Sequence, residues 1–311
     1  VNSSNRYWFF VSVTAVFLCI SGYFFFQLKE HGHGYQKNMH DYVRTLNFED
    51  RVLKGQEFSL TDWGFKKRQE KAMTHLDFAE AHREDSGNIS LLYCFVSLIY
   101  FLFVLFYFAP DDNYLKFLST GIVTIAIPCL LVGITYPFLE IGAFSEDLQI
   151  SYKTKVPFTG YEFTLSKEFS GRMYYYYQNK SVLDLIGILF KANNIVVALC
   201  ILVFSILMPL TKLGLSLYLL LKHNTHEGKI MKWFISVMGK WSMADVFVAS
   251  AFLSYLSFHN MSTDEQIKTE SFTLPGLYFF LAYCVLSIIS SIVLERALKE
   301  KADALPEGNL L

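Results

Sequence analysis

The chain has no C-x-x-C pair; Cys19, Cys94, Cys129, Cys200 and Cys284 each stand alone within apolar stretches. That spacing excludes a zinc ribbon and a disulfide framework and leaves the five as small buried hydrophobes. Net charge is lacking too, with 27 Lys and Arg against 28 Asp and Glu, so no nucleic-acid partner is expected. H-E-x-x-H, G-x-S-x-G and a phosphate-cradling glycine loop are all absent, and the chain is not expected to be an enzyme. The short EHGHG, with His31 and His33, is too small to hold a metal alone. Neither a metal nor a cofactor is implied.

What the chain has in excess is apolar and aromatic surface, with 53% hydrophobic residues, 30 Phe and 19 Tyr. A positive mean hydropathy of this size belongs to a membrane protein. Apolar runs long enough for a helix to cross a bilayer fall at roughly 7–26, 91–109, 116–139, 194–221, 233–257 and 275–294. The expected fold is therefore all-α and integral to the membrane, with six crossings. The first run exceeds a signal-peptide core and has no A-x-A-like site after it, so it reads as an uncleaved anchor. Lys116 and the lysines Lys222, Lys229 and Lys232 mark short connections, and Arg296, Lys299 and Lys301 follow the last run. Their charge predicts both termini on the cytoplasmic side and residues 27–89 and 140–193 outside.

The two outer segments read differently. Residues 35–85 carry mixed charges, few glycines and no proline, which predicts two helices joined near Gly55 to Gly64. Such a hairpin is either a solvated spacer or dimer contact, or a ligand-sensing domain. In the second segment ISYKTKV and YEFTL alternate around PFTG, predicting that 150–165 pair as a β-hairpin. Tyr174 to Tyr177 read as an interfacial aromatic cluster, and SVLDLIGILFKANN as a short amphipathic helix before the chain enters the membrane near Asn194.

Within GKWSMADVFVASAFLSYLSF, from Trp241 onward, Asp245 is the only charge. A carboxylate at membrane depth costs about 2.5–3.5 kcal/mol on insertion scales and needs a partner. Lys212 offers one, because it lies about 14 Å from the end of its crossing and Asp245 about 18 Å into the next, at 1.5 Å per residue. Pro209 removes a backbone hydrogen bond three residues before Lys212. Thr211, Ser242, Ser287, Ser290 and Ser291 could complete a polar core, and Trp241 shares the face of Asp245. Such a pair either fixes helix register or serves as a proton relay or switch.

Four phrases, PCLLVGITYPFLEI, VLDLIGILFKANN, LMPLTKLGLSLYLLL and above all GKWSMADVF, make residues 112–298 resemble the paraquat-inducible protein A family of bacterial inner-membrane proteins. The resemblance implies one four-helix module, similar in fold to tetraspanins and claudins, with a small extracytoplasmic β-structure. Residues 1–111 would then be an extra pair of crossings carrying the outer hairpin, and 299–311 a cytoplasmic tail. The resemblance also implies transport of lipids or other lipophilic molecules across the envelope alongside mammalian-cell-entry-type proteins. Lys212 and Asp245 would be where loading is coupled to proton movement. The zinc ribbons and second module common in that family are missing from this sequence.

Overall fold

The structure is a computed structural model that describes residues 3–53, 62–110, 114–155, 162–221, 250 and 267–303. The expected crossing at 233–257 lies outside the described residues, apart from Ser250. Among the described residues, five helices are long and apolar enough to cross a membrane, and the fold is mostly helical with one small antiparallel sheet.

Helices α1 (Ser3–Thr45) and α2 (Asp62–Tyr107) contain 43 and 46 residues. At 1.5 Å per residue they are about 65 and 69 Å long, twice the roughly 30 Å of a hydrocarbon core. Each therefore runs out of the membrane without a break, and a π-turn at Glu49–Leu53 follows α1. The buried positions explain the continuity. Phe10, Phe17 and Phe24 recur every seventh residue, as do Leu28, Tyr35 and Tyr42 on α1 and Ala72, Ala79, Ser86, Tyr93 and Tyr100 on α2. Seven-residue spacing keeps one seam facing the partner helix over many turns. Inside the membrane the seam is aromatic, with Phe17 stacked on Tyr100 at 4.2 Å between centroids. Outside, Ala72, Ala79 and Ser86 make it small. The expected joint near Gly55 to Gly64 is narrower than predicted, since α2 is already helical at Gly64. Residues 54–61 lie outside the described residues.

Helix α3 (Tyr114–Thr135) is the centre of the bundle. Its apolar span is 83% buried against 22% for those of α1 and α2. It ends at Thr135, short of the predicted 139, because Pro137 disfavours helical geometry at the residue before it. Against it packs α7 (Pro275–Asp303). The contact is close, since a Cβ on Gly133 would stand 2.9 Å from the Phe280 backbone.

The expected hairpin proves larger and three-stranded. β1 (Leu139–Lys155) pairs antiparallel with β2 (Glu162–Lys180), and β3 (Lys268–Thr273) adds to the other side of β1, in the order β2-β1-β3. The turn predicted at Pro157 to Gly160 lies outside the described residues. Tyr174 to Tyr177, read from the sequence as an interfacial aromatic cluster, belong to β2. Tyr174 is buried against Tyr42 of α1, and its N–H donates to Leu46 O at 3.1 Å, tying sheet to hairpin. A β-bulge displaces the register between Glu146 and Leu148. There Gly171 takes φ 83°, which few other residues adopt, and its N–H donates to Asp147 Oδ1 at 2.9 Å.

The amphipathic helix is α4 (Val182–Lys191), opened by a capping box in which Ser181 and Asp184 satisfy each other's backbone N–H. Burial pushes the Asp184 carboxyl up, but the backbone N–H of Ser181, Gln36 and the Ser181 hydroxyl together hold it below its ordinary value. The chain then descends through α5 (Ile195–Leu202), a π-turn at Val203–Leu207, and α6 (Met208–Leu221). Pro209 has no N–H for the carbonyl four residues back, and the wider π-turn lies just before it.

Candidate functional site

Lys212 enters the bundle because the helix that carries it presents Leu213, Ser216 and Lys212 inward, all buried. Its Nζ donates to Ser287 Oγ at 2.8 Å and reaches Ser287 O at 3.4 Å. Ser287 lies 12 residues after Pro275, about 18 Å down its helix at 1.5 Å per residue. That depth makes the contact a membrane-interior one. One turn further, Ser291 donates to the same Ser287 carbonyl at 2.9 Å. Ser290 is buried on the Ser287 side, and Ser216 is buried one turn beyond Lys212.

The structure thus brings together Lys212, Ser287 and Ser291, with Ser290 and Ser216 buried on the same two helices. Thr211 points elsewhere. It is exposed, and its hydroxyl donates to Leu207 O at 2.9 Å and Met208 O at 3.0 Å, the carbonyls around the π-turn. Trp241, Ser242 and Asp245 lie outside the described residues. Chemically the arrangement is a buried ammonium held by a serine and a main-chain carbonyl between two crossing helices. A cation so placed can exchange a proton or a counter-ion when the helices shift.

A second group of polar residues was not singled out from the sequence. Glu140, the second residue of β1, is 5% exposed and accepts a hydrogen bond from the Tyr35 hydroxyl of α1. Burial pushes its carboxyl above the ordinary value, against the opposing pull of the Tyr35 and Tyr177 hydroxyls and of Arg83. Beside it a cavity of about 520 Å³ opens between the helical hairpin and the sheet. The signal available in the sequence was slight, since a lone Glu after YPFL looks like the end of a membrane helix.

The family model described as Paraquat-inducible protein A matches residues 170–299, somewhat under half of the chain. The match takes in VLDLIGILFKANN, LMPLTKLGLSLYLLL and GKWSMADVF, with Lys212 and Ser287 inside it, and leaves PCLLVGITYPFLEI outside. No curated protein and no solved structure matches the chain.

Proposed function

We propose that this chain, whose residues 170–299 are consistent with a membrane protein of the paraquat-inducible protein A family, is a non-enzymatic inner-membrane component of lipid or lipophilic-molecule transport across the cell envelope. The observation that carries the reading is the ammonium of Lys212, held by Ser287 inside the matched part of the bundle. A charge kept at membrane depth is expensive and usually marks a pathway or a proton relay. Coupling through Lys212 and Asp245 to proton movement is part of this proposal. So are the handover to a mammalian-cell-entry-type envelope protein and a tetraspanin-like or claudin-like four-helix module.

Six crossings with both termini cytoplasmic belong to the same reading. The N-terminal part of α1 packs beside Tyr107 and Phe117, at the end of the bundle away from the sheet. The described chain leaves off at Leu221, one crossing away from the sheet, and resumes in β3 within it. That supports an even number of crossings.

A photo-crosslinking residue at Ser290 tests the transport reading. Ser290 is buried and its neighbour Ile289 is exposed on the lipid-facing surface. Phospholipid adducts at Ser290 in native membranes, with Ile289 as the bulk-lipid reference, are the expected result. Adducts at Ile289 alone would count against a lipid path through the bundle. The alternative reading, a receptor with a ligand-sensing outer hairpin, is favoured by one observation, the cavity between hairpin and sheet. It predicts ligand binding outside and no lipid adduct at Ser290.

A further inference from the structure

The cavity of about 520 Å³ falls within the roughly 300–1,000 Å³ of small-molecule sites. Its helical wall is apolar over Met39, Leu46, Ala72, Met73 and Leu76, with Gln69, Glu80 and Arg83 adding polar positions. The sheet side is aromatic, with Phe144, Tyr174, Tyr177 and Phe272. Glu140 lies where β1 leaves the membrane bundle, so the cavity opens just outside the bilayer, above α3.

Charge within the cavity is unevenly satisfied. Arg172 is already engaged, with Glu146 at 3.4 Å, Glu270 at 3.7 Å and the Phe144 ring at 4.7 Å. Arg83 is exposed at the rim and rests over the Phe272 ring at 5.3 Å. Glu140 is different. It is the buried one of the three carboxylates lining the space, beside Glu80 and Glu270, and among the described residues no cationic side chain comes within 4.0 Å of it. The Tyr35 hydroxyl holds one oxygen and Tyr177 lies alongside. A buried carboxylate hydrogen-bonded by phenols, with the Arg83 guanidinium acting only from beyond 4.0 Å, is costly to ionise unless a cation reaches it. Aromatic faces around such a carboxylate add their own attraction for a desolvated cation.

We propose that this cavity binds an amphiphile by its ammonium group, which pairs with Glu140 among Tyr35, Tyr177 and Tyr174 while its hydrocarbon part lies along Met39, Leu46, Met73 and Leu76. An anionic head is disfavoured, because the one buried charge lining the space is the Glu140 carboxylate, while Arg83 and Arg172 are both exposed and Arg172 is already paired with Glu146 and Glu270. The inference concerns binding alone, so it stands or falls independently of the lipid path tested at Ser290.

Calorimetric titration of the purified full chain in a maltoside detergent tests it, with empty-micelle heats subtracted. The probes are hexyltrimethylammonium, hexanesulfonate and hexanol. Saturable binding of the cation at least about tenfold tighter than either of the others is expected, in line with a desolvated cation among aromatic rings. Glu140→Gln, which keeps an acceptor for Tyr35, should lose that preference and bind the cation no better than the alcohol. Met73 is 44% exposed at the edge of the space, so Met73→Trp should fold normally, narrow the cavity and weaken the cation and the alcohol alike. Equal or tighter binding of the sulfonate would overturn the proposal, as would unchanged cation affinity in folded Glu140→Gln. Should that variant fail to fold, unchanged cation affinity in Met73→Trp overturns it equally.

Discussion

The hydroxyl of Tyr35, on the long first helix, donates its hydrogen bond to the carboxylate of Glu140, at the start of the sheet. The two residues are 105 positions apart in the chain, so this bond is a join between the hairpin and the membrane module. Removing the donor alone, by Tyr35→Phe, leaves a buried carboxylate under-served and should cost about 1–3 kcal/mol. Chemical denaturation in mild detergent would measure it. A variant as stable as the parent would show that the join is not held by this bond.

The same carboxylate predicts a pH dependence. Burial raises the Glu140 pKa above the ordinary 4.5, so between that value and the folded-state pKa the native protein holds a proton that the unfolded chain has lost. Stability contributed at this position therefore falls as pH rises through that window. Comparing Glu140→Gln with the parent isolates the effect. The melting temperature of the variant should exceed that of the parent near neutral pH, and the gap should close as pH approaches 4.5. A gap that widened on acidification would reverse the sign assigned to burial.

The buried ammonium makes a separate prediction. Ser287→Ala deletes the side-chain acceptor of Lys212 but leaves the carbonyl at 3.4 Å, and a hydrogen bond to a charged group is worth about 1.5–3 kcal/mol. Lys212→Leu with Asp245→Leu asks the wider question. If the two charges only set helix register, the double change should restore the folded yield and the transport that Asp245→Ala loses, since apolar replacement of both partners is often near neutral. If they take part in transport, yield returns and transport does not.

Close packing in the bundle centre can be checked at one glycine. A Cβ at Gly133 would lie 2.9 Å from Phe280 backbone atoms, which cannot swing away as a side chain could. Gly133→Val should therefore destabilise by about 1–3 kcal/mol or more through overpacking. Gly187, with nothing within 4 Å of its added Cβ, is the matched control, and Gly187→Ala should leave the melting temperature nearly unchanged.

Sidedness is measurable by cysteine labelling. Ser86 is an unsuitable position because it is fully buried in the seam of the hairpin. Lys71, exposed near the outer tip, and Ala109, exposed beyond the end of α2, are better placed. Reagent that cannot cross the membrane should reach one from each side; access to both from the same face would break the orientation.

The apolar runs showed the five described membrane helices, and the amphipathic pattern of SVLDLIGILFKANN showed α4. Alternation found the turn end of the β1–β2 hairpin but not the three-stranded base of the sheet. That base is Leu139 to Phe144 with the tyrosines of β2, whose composition fits an interface as well as a strand. β3 is six residues long and gains its partner from a strand more than a hundred positions earlier, which no local pattern encodes. The seam of α1 and α2 escaped notice for another reason. Inside the membrane nearly every residue is apolar, so Phe10, Phe17 and Phe24 do not stand out. Outside it the seam is carried by Ala72, Ala79 and Ser86, which look unremarkable. Lys212 was legible because a charge in an apolar run is conspicuous. Glu140 was not, because its burial comes from a helix far away in sequence.

The unbroken run of α1 and α2 across the membrane surface has a mechanical consequence. Two rods clamped along a common seam resist bending where they leave the bilayer, so a tilt forced on the outer tip is delivered to the opposite ends with its sense reversed, as by an oar in its rowlock. Leu46 and Tyr42 hold one end of that lever against the sheet through Tyr174. Phe10 and Phe108 set the other end against Phe117 at the start of α3. Whatever wedges the tip away from the sheet therefore pulls on the central helix from the far side of the membrane, with no relay of individual contacts needed in between.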